Sequence, residues 1–124
     1  MVKVGTYNTA FNDVLGINIE KLDIFKSDGL IRHMEKRNHI KALEYINCIS
    51  DIIQSPDYIG VNPNEKETKS IELIKKYDTG ILLGLKLDRD NDFLYIATMY
   101  EIQESKINRR LHNGRIKKFH VKPE

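Results

Sequence analysis

The segments Ser70-Ile-Glu-Leu-Ile-Lys-Lys-Tyr77, Ile81-Leu-Leu-Gly-Leu-Lys-Leu87 and Phe93-Leu-Tyr-Ile-Ala-Thr-Met-Tyr-Glu-Ile102 decide the fold. In the middle one, Ile81, Leu83, Leu85 and Leu87 share one face, while Leu82, Gly84 and Lys86 share the other, the period of a strand. The links Asp78-Thr79-Gly80 and Asp88-Arg89-Asp90-Asn91-Asp92 have hairpin length, so the three segments form an antiparallel meander. Phe93–Ile102 is apolar on both faces for much of its length, as in a central strand.

Working back from this block, Asn62-Pro63-Asn64 and the charged run to Lys69 read as a polar loop, and Tyr58–Val61 as a short strand. A helix is predicted over about 39–54, with Ile40, Leu43, Ile46, Cys48, Ile49, Ile52 and Ile53 on its apolar side. Pro56 ends it by disfavouring helical backbone at Ser55. An earlier helix begins near Gly29, capped by Ser27 or Asp28, with Leu30, Ile31 and Met34 on one face. Asn38 joins the two helices as the N-cap of the second. Val2–Tyr7 has strand composition, 8–18 is ambiguous, and Leu22–Phe25 fits a short strand. Downstream, Glu104–Leu111 reads as a short basic helix closed by Asn113-Gly114, and the tail from Arg115 as an edge strand or a mobile end.

The fold expectation is α+β, with two N-terminal helices packed on an antiparallel sheet of about four strands and a short basic C-terminal helix. Residues 1–27 form an N-terminal segment without an assigned role, 28–119 the functional domain and 120–124 a tail. A chain of 124 residues has the size of one domain and buries roughly two thirds of its unfolded surface, enough to fold without disulfides or metal. Hydrophobic residues at 40% and charged residues at 31% exclude a disordered chain. One cysteine, Cys48, precludes an internal disulfide and points to a reducing cytoplasm, with secretion by a leaderless route left open. Its place between Ile46 and Ile49 favours a core thiol over a catalytic one. No run approaches the ~20 apolar residues of a membrane span, and the N-terminus has no long apolar signal core.

Net charge is only +2, but it is polarised. Residues 28–41 carry four basic and two acidic groups, 42–101 six and eleven, and 102–124 seven and two. Two basic segments brought together would attract phosphate, which makes RNA the expected partner, tRNA among the candidates.

Three clusters suit such chemistry. His33-Met-Glu-Lys36-Arg37-Asn-His39 supplies two imidazoles for acid and base roles, with cations between them. A solvated junction between helices is the plainer reading of the same residues. Thr98 and Tyr100 share a strand face and could hold a phosphate, or be ordinary strand formers. Around the last helix, Ser105 offers an N-cap, and Lys106, Arg109, Arg110, His112, Arg115, Lys117 and Lys118 a basic surface for RNA or for water. No metal or cofactor is expected: His33 and His39 are six apart, and the Asp88, Asp90, Asp92 turn departs from a calcium loop, with Phe93 and Met99 at its Gly and Glu positions.

In their order, the HxxKRxH helix, the apolar helix ending in SPDYIG, SIELIKKYD, the hydrophobic hairpin and YIATMYEIQESKINRRLHNGRIKK resemble the phage-borne barnase/EndoU/colicin/RelE-like nuclease domains, over about Leu30 to Phe119. The resemblance implies helices packed on a four-stranded antiparallel sheet that holds RNA, and metal-independent cleavage by 2′-OH attack. It implies that His33 and His39 match the family's helical histidines, Thr98 its strand hydroxyl and Arg109 or Arg110 its late basic residue. The expected catalytic set is therefore His33, His39, Arg37, Thr98, Tyr100 and Arg110, with Lys36, Ser105, Lys106, Arg109, Arg115, Lys117 and Lys118 binding RNA. A toxin-like nuclease of this kind would have a cognate immunity or antitoxin protein as a further partner. The alternatives are a non-catalytic nucleic-acid- or protein-binding module of a mobile element, or an inhibitor of a host enzyme acting through the acidic middle region.

Overall fold

The computed structural model describes residues 1–63 and 70–120. The chain runs β1 (Val2–Thr6), α1 (Ala10–Leu15), β2 (Asp23–Lys26), α2 (Leu30–Lys36), α3 (Ile40–Leu43), a 3₁₀ turn (Ile46–Cys48), α4 (Ile49–Gln54), β3 (Tyr58–Val61), β4 (Ser70–Lys76), β5 (Gly80–Asp88), β6 (Phe93–Ile102), α5 (Glu104–His112) and β7 (Ile116–Lys118). The polar loop from Asn64 to Lys69 and the tail beyond His120 lie outside the described residues.

The meander forms as its alternation dictates: Leu83 pairs with Leu73 and Met99, and all three are fully buried. The sheet is larger than expected, however, with seven strands in the order β1-β2-β6-β5-β4-β3-β7. Residues 2–26, left without an assigned role by the sequence, supply two of its strands, and the tail adds β7 at the opposite edge. The sheet is also mixed, because β2 runs parallel to β6 through Ile24↔Leu94 and Phe25↔Tyr95. β2 covers the Leu94–Tyr95 end of the edge of β6 that β5 leaves open, an apolar strand edge that would otherwise stand unpaired there.

The helix predicted over 39–54 is broken. Its sequence is rich in β-branched residues and carries Asn47 and Cys48, which hold a helix weakly. The chain turns near Tyr45, whose ring stacks on Tyr77 at 4.9 Å. Cys48 is consequently half-buried instead of a core residue.

The two faces of the sheet are covered unequally. On one, α1–α4 bury the main core, including Phe11, Leu30, Met34, Ala42, Ile49, Ile52 and Ile53 against Ile71, Leu73, Leu83, Leu85, Leu94, Ile96 and Met99. Each fully buried Leu or Ile there contributes about 1.5–3 kcal/mol. On the other face only α5 docks, placing Ile107 in a small cluster with Ile74, Leu82, Ile102 and Ile116. That face is closed under α5 and otherwise open. Among the described residues, no helix is long and apolar enough to cross a membrane.

Candidate active site

The cleft grows from two departures from regular structure. The first is the end of α2, where Asn38 takes a left-handed conformation at φ 60°. His39 N–H donates to Met34 O at 2.7 Å and Asn38 N–H to Glu35 O at 3.1 Å, the paired bonds of a helix C-terminal motif built on a left-handed residue. Asn38 is thus a joint, as expected, but as the terminator of the first helix and not the cap of the second. In a continuous helix His33 and His39 would point in quite different directions; this reversal returns His39 to the side on which His33 and Arg37 already lie, one turn apart.

The second departure is in β6. Gly84 pairs with Thr98, but Leu85 pairs with Ile96, so Ala97 is an extra residue in the ladder. Ala97 and Thr98 are consecutive and both partly exposed, where a regular strand would bury one of them. The bulge brings both to the open face. Across from Thr98, a Cβ at residue 84 would sit 2.8 Å from Thr98 Cγ2, so any side chain there would displace the Thr98 methyl.

β2 pairs with β6 only through Leu94 and Tyr95, and α2 and α3 pack beside the rest of that strand. The resulting cleft, of about 540 Å³, is lined by His33, Arg37, His39, Asn62, Ser70, Lys86, Ala97, Thr98, Tyr100 and Lys106. The His39 ring tilts against Tyr100 with centroids 5.5 Å apart, and its buried Nδ1 has no hydrogen-bond partner. Buried polar atoms generally have a hydrogen-bond partner, so this nitrogen is left available for one. Among the described residues no Asp or Glu lines the cleft, which presents cations, imidazoles and hydroxyls beside the Asn62 amide and the Ala97 methyl.

Of the expected catalytic residues, His33, His39, Arg37, Thr98 and Tyr100 meet in this cleft, together with Lys106. Arg110 does not, and its expected role is corrected. It is buried beneath α5 with Nη1 3.6 Å from Glu72 Oε2, where no phosphate reaches it. Arg115, partly exposed, lies outside the cleft and is paired: Nε and Nη2 donate to the two oxygens of Glu72 at 2.9 and 3.0 Å. That pairing holds the guanidinium pKa above its ordinary value. Lys117 and Lys118 lie on β7 at the far edge. The row Tyr100–Leu82–Ile74–Tyr58–Lys118 spans four strand spacings, roughly 19 Å. Lys36, Ser105 and Arg109 are exposed outside the lining, and Ser105 does not cap α5, whose N-cap is Gln103. Asn62, Ser70, Lys86 and Ala97 were not expected. The polar parity of Gly84 and Lys86 in an otherwise apolar strand is the sequence signal that marks their side of the sheet as open.

A family model described as phage-Barnase-EndoU-ColicinE5/D-RelE like nuclease3 matches residues 2–109. The chain belongs to this family. Membership makes it a phage-associated nuclease domain, with nucleic acid as its substrate class. The match takes in β1 and β2, which the resemblance read from the sequence left out, and stops short of Arg110 and Arg115. No curated protein and no solved structure matches the chain.

Proposed function

We propose that this nuclease domain is a metal-independent endoribonuclease that cleaves by 2′-OH attack. One observation carries the reading: a single cleft gathers His33, His39, Arg37, Lys106, Thr98 and Tyr100, with no Asp or Glu among the described residues that line it. Activating a water with a divalent cation calls for carboxylate or multiple imidazole ligands, and among the described residues no three His, Cys, Asp or Glu side chains cluster. Two imidazoles and several cations suit a nucleophile that the substrate itself provides.

In the proposed reaction one imidazole of the His33/His39 pair takes the 2′-OH proton. The 2′-oxygen attacks phosphorus, and the bond to the 5′-oxygen breaks as the other imidazole protonates it. Arg37 and Lys106 stabilise the charge of the phosphorane, and the Thr98 and Tyr100 hydroxyls orient the phosphate. The products carry a 2′,3′-cyclic phosphate and a 5′-OH.

The test is incubation with total RNA and tRNA in EDTA, with native protein beside His33→Ala and His39→Ala. The expected outcome is discrete cleavage, lost in the variants, and no cut where the cleaved ribose is replaced by deoxyribose. Activity abolished by EDTA, or cutting of the deoxy substrate, would overturn the mechanism. Salt-sensitive RNA binding with no cleavage would favour a binding module of the same fold.

A further inference from the structure

The open part of the sheet continues past the cleft into an aromatic surface. Phe25 and Phe93 meet edge to face at 5.3 Å, and Phe93 and Tyr95 at 6.5 Å. Phe25 is the strand partner of Tyr95, and Tyr95 is paired with Lys86, which lines the cleft. Along β6 the intervening residues Leu94 and Ile96 are buried in the main core, so Phe93 and Tyr95 point the other way, onto the face that α5 leaves uncovered. All three rings are partly exposed. Three adjacent aromatics on a helix-free stretch of sheet make an apolar surface that a folded chain keeps when a ligand covers it.

The surroundings select the ligand. The platform is continuous with the cleft through Tyr95 and Lys86, so a strand longer than the cleft can extend onto it. At its outer end, Asp88 and Asn91 line a shallow cavity of about 550 Å³ with Phe93 and Tyr95. Asp88 is fixed there by accepting the backbone N–H groups of Asp90 and Asn91 at 3.1 and 3.3 Å. A carboxylate at the rim repels a second phosphate but tolerates a neutral base. Resting on the nuclease reading above, we propose that Phe25, Phe93 and Tyr95 form a stacking subsite for an unpaired nucleobase adjacent to the phosphate held in the cleft. A base stacked on protein cannot stay stacked in a duplex, so the substrate is single-stranded or looped at the cut.

The test uses a non-cleavable 2′-O-methyl oligonucleotide carrying 2-aminopurine next to the target phosphate. Binding to native protein quenches its fluorescence. Phe93→Leu and Tyr95→Leu, which keep apolar bulk but remove the ring, are expected to abolish the quench and weaken binding about 5- to 100-fold each. Phe93→Trp restores both, and unfolding midpoints close to native show that the leucine variants are folded. Native-like binding by both leucine variants, with binding still weakened by Arg37→Ala, overturns the stacking subsite and leaves the nuclease reading standing. Native protein that neither binds nor cleaves RNA removes both.

Discussion

The same face of one sheet is treated in opposite ways at its two ends. Under α5, two arginines converge on one buried carboxylate, Glu72, and the charges are consumed by the fold. Beside β6, Arg37, Lys106 and two histidines line a cleft to which no carboxylate of the described residues contributes. Thr98, Gly84, Glu72 and Gly60 are neighbours in a single row, so the change happens across two strand spacings, roughly 10 Å. Residue type does not separate a structural cation from a substrate-binding one; the presence of an acidic partner on the facing strand does.

The largest effects should separate the two ends completely. His39→Ala is expected to lower cleavage by about 10²–10⁴-fold, the usual worth of a positioned acid or base. Its unfolding midpoint should stay near native, because His39 is partly exposed and belongs to neither apolar cluster. Glu72→Ala should do the reverse. Removing one partner of a buried ion pair costs about 3–5 kcal/mol, here with two guanidiniums left uncompensated. Denaturant titration measures it, and a loss below about 1 kcal/mol would mean that Arg110 and Arg115 are solvated and available to RNA after all.

A smaller effect tests whether the closed regions are truly dry. The Tyr7 hydroxyl donates to Asn12 Oδ1 at 2.8 Å beneath α1, and burial pushes its pKa up to about 12. A folded-state value above the unfolded one, near 10, means that stability is complete below pH 10 and lost as pH rises towards 12. The loss amounts to about 3 kcal/mol. Tyr7→Phe gives up one hydrogen bond, about 0.5–1.5 kcal/mol at neutral pH, but escapes the alkaline penalty. The variant should therefore be the less stable protein at pH 7 and the more stable one near pH 12. Tyr77, whose pKa burial and Asp51 also raise, is common to both proteins and cancels from the difference. Parallel stability curves for the two proteins would show that water reaches Tyr7.

Much of this was readable in the sequence where a short-range pattern decides the outcome. The strand period gave Tyr58–Val61 and the meander to within a residue or two, and the HxxKRxH segment and the Thr98/Tyr100 parity placed five residues of one cleft before any contact was visible. What escaped depended on long-range pairing. Whether Arg110 meets Glu72 or a phosphate turns on a contact between residues far apart in the chain, and nothing local to NRRLHNGR distinguishes the outcomes. The parallel pairing of β2 with β6 is likewise a decision of the whole sheet. The bulge at Ala97 escaped for a different reason, because Ile-Ala-Thr-Met reads equally well as an uninterrupted strand.

The finest contrast lies between lysines of the same C-terminal segment. Lys106 lines the cleft, while Lys118 sits roughly 19 Å away on the last strand, beside Asp57, Tyr58, Lys76 and His120. Each cation that neutralises a phosphate of a single strand contributes about 0.7 to the slope of log affinity against log salt. Lys106→Ala and Arg37→Ala should each reduce that slope by about 0.7 for a short non-cleavable oligonucleotide, whereas Lys118→Ala should leave it unchanged. With a longer strand the comparison sharpens. If Lys118→Ala begins to lower the slope only beyond a certain length, the RNA crosses α5 to reach the far edge, and the basic tail becomes an outlying contact of the same site. If Lys118 never registers while Lys106 does, the electrostatic footprint ends at α5, and the charge of the tail serves something other than the bound strand.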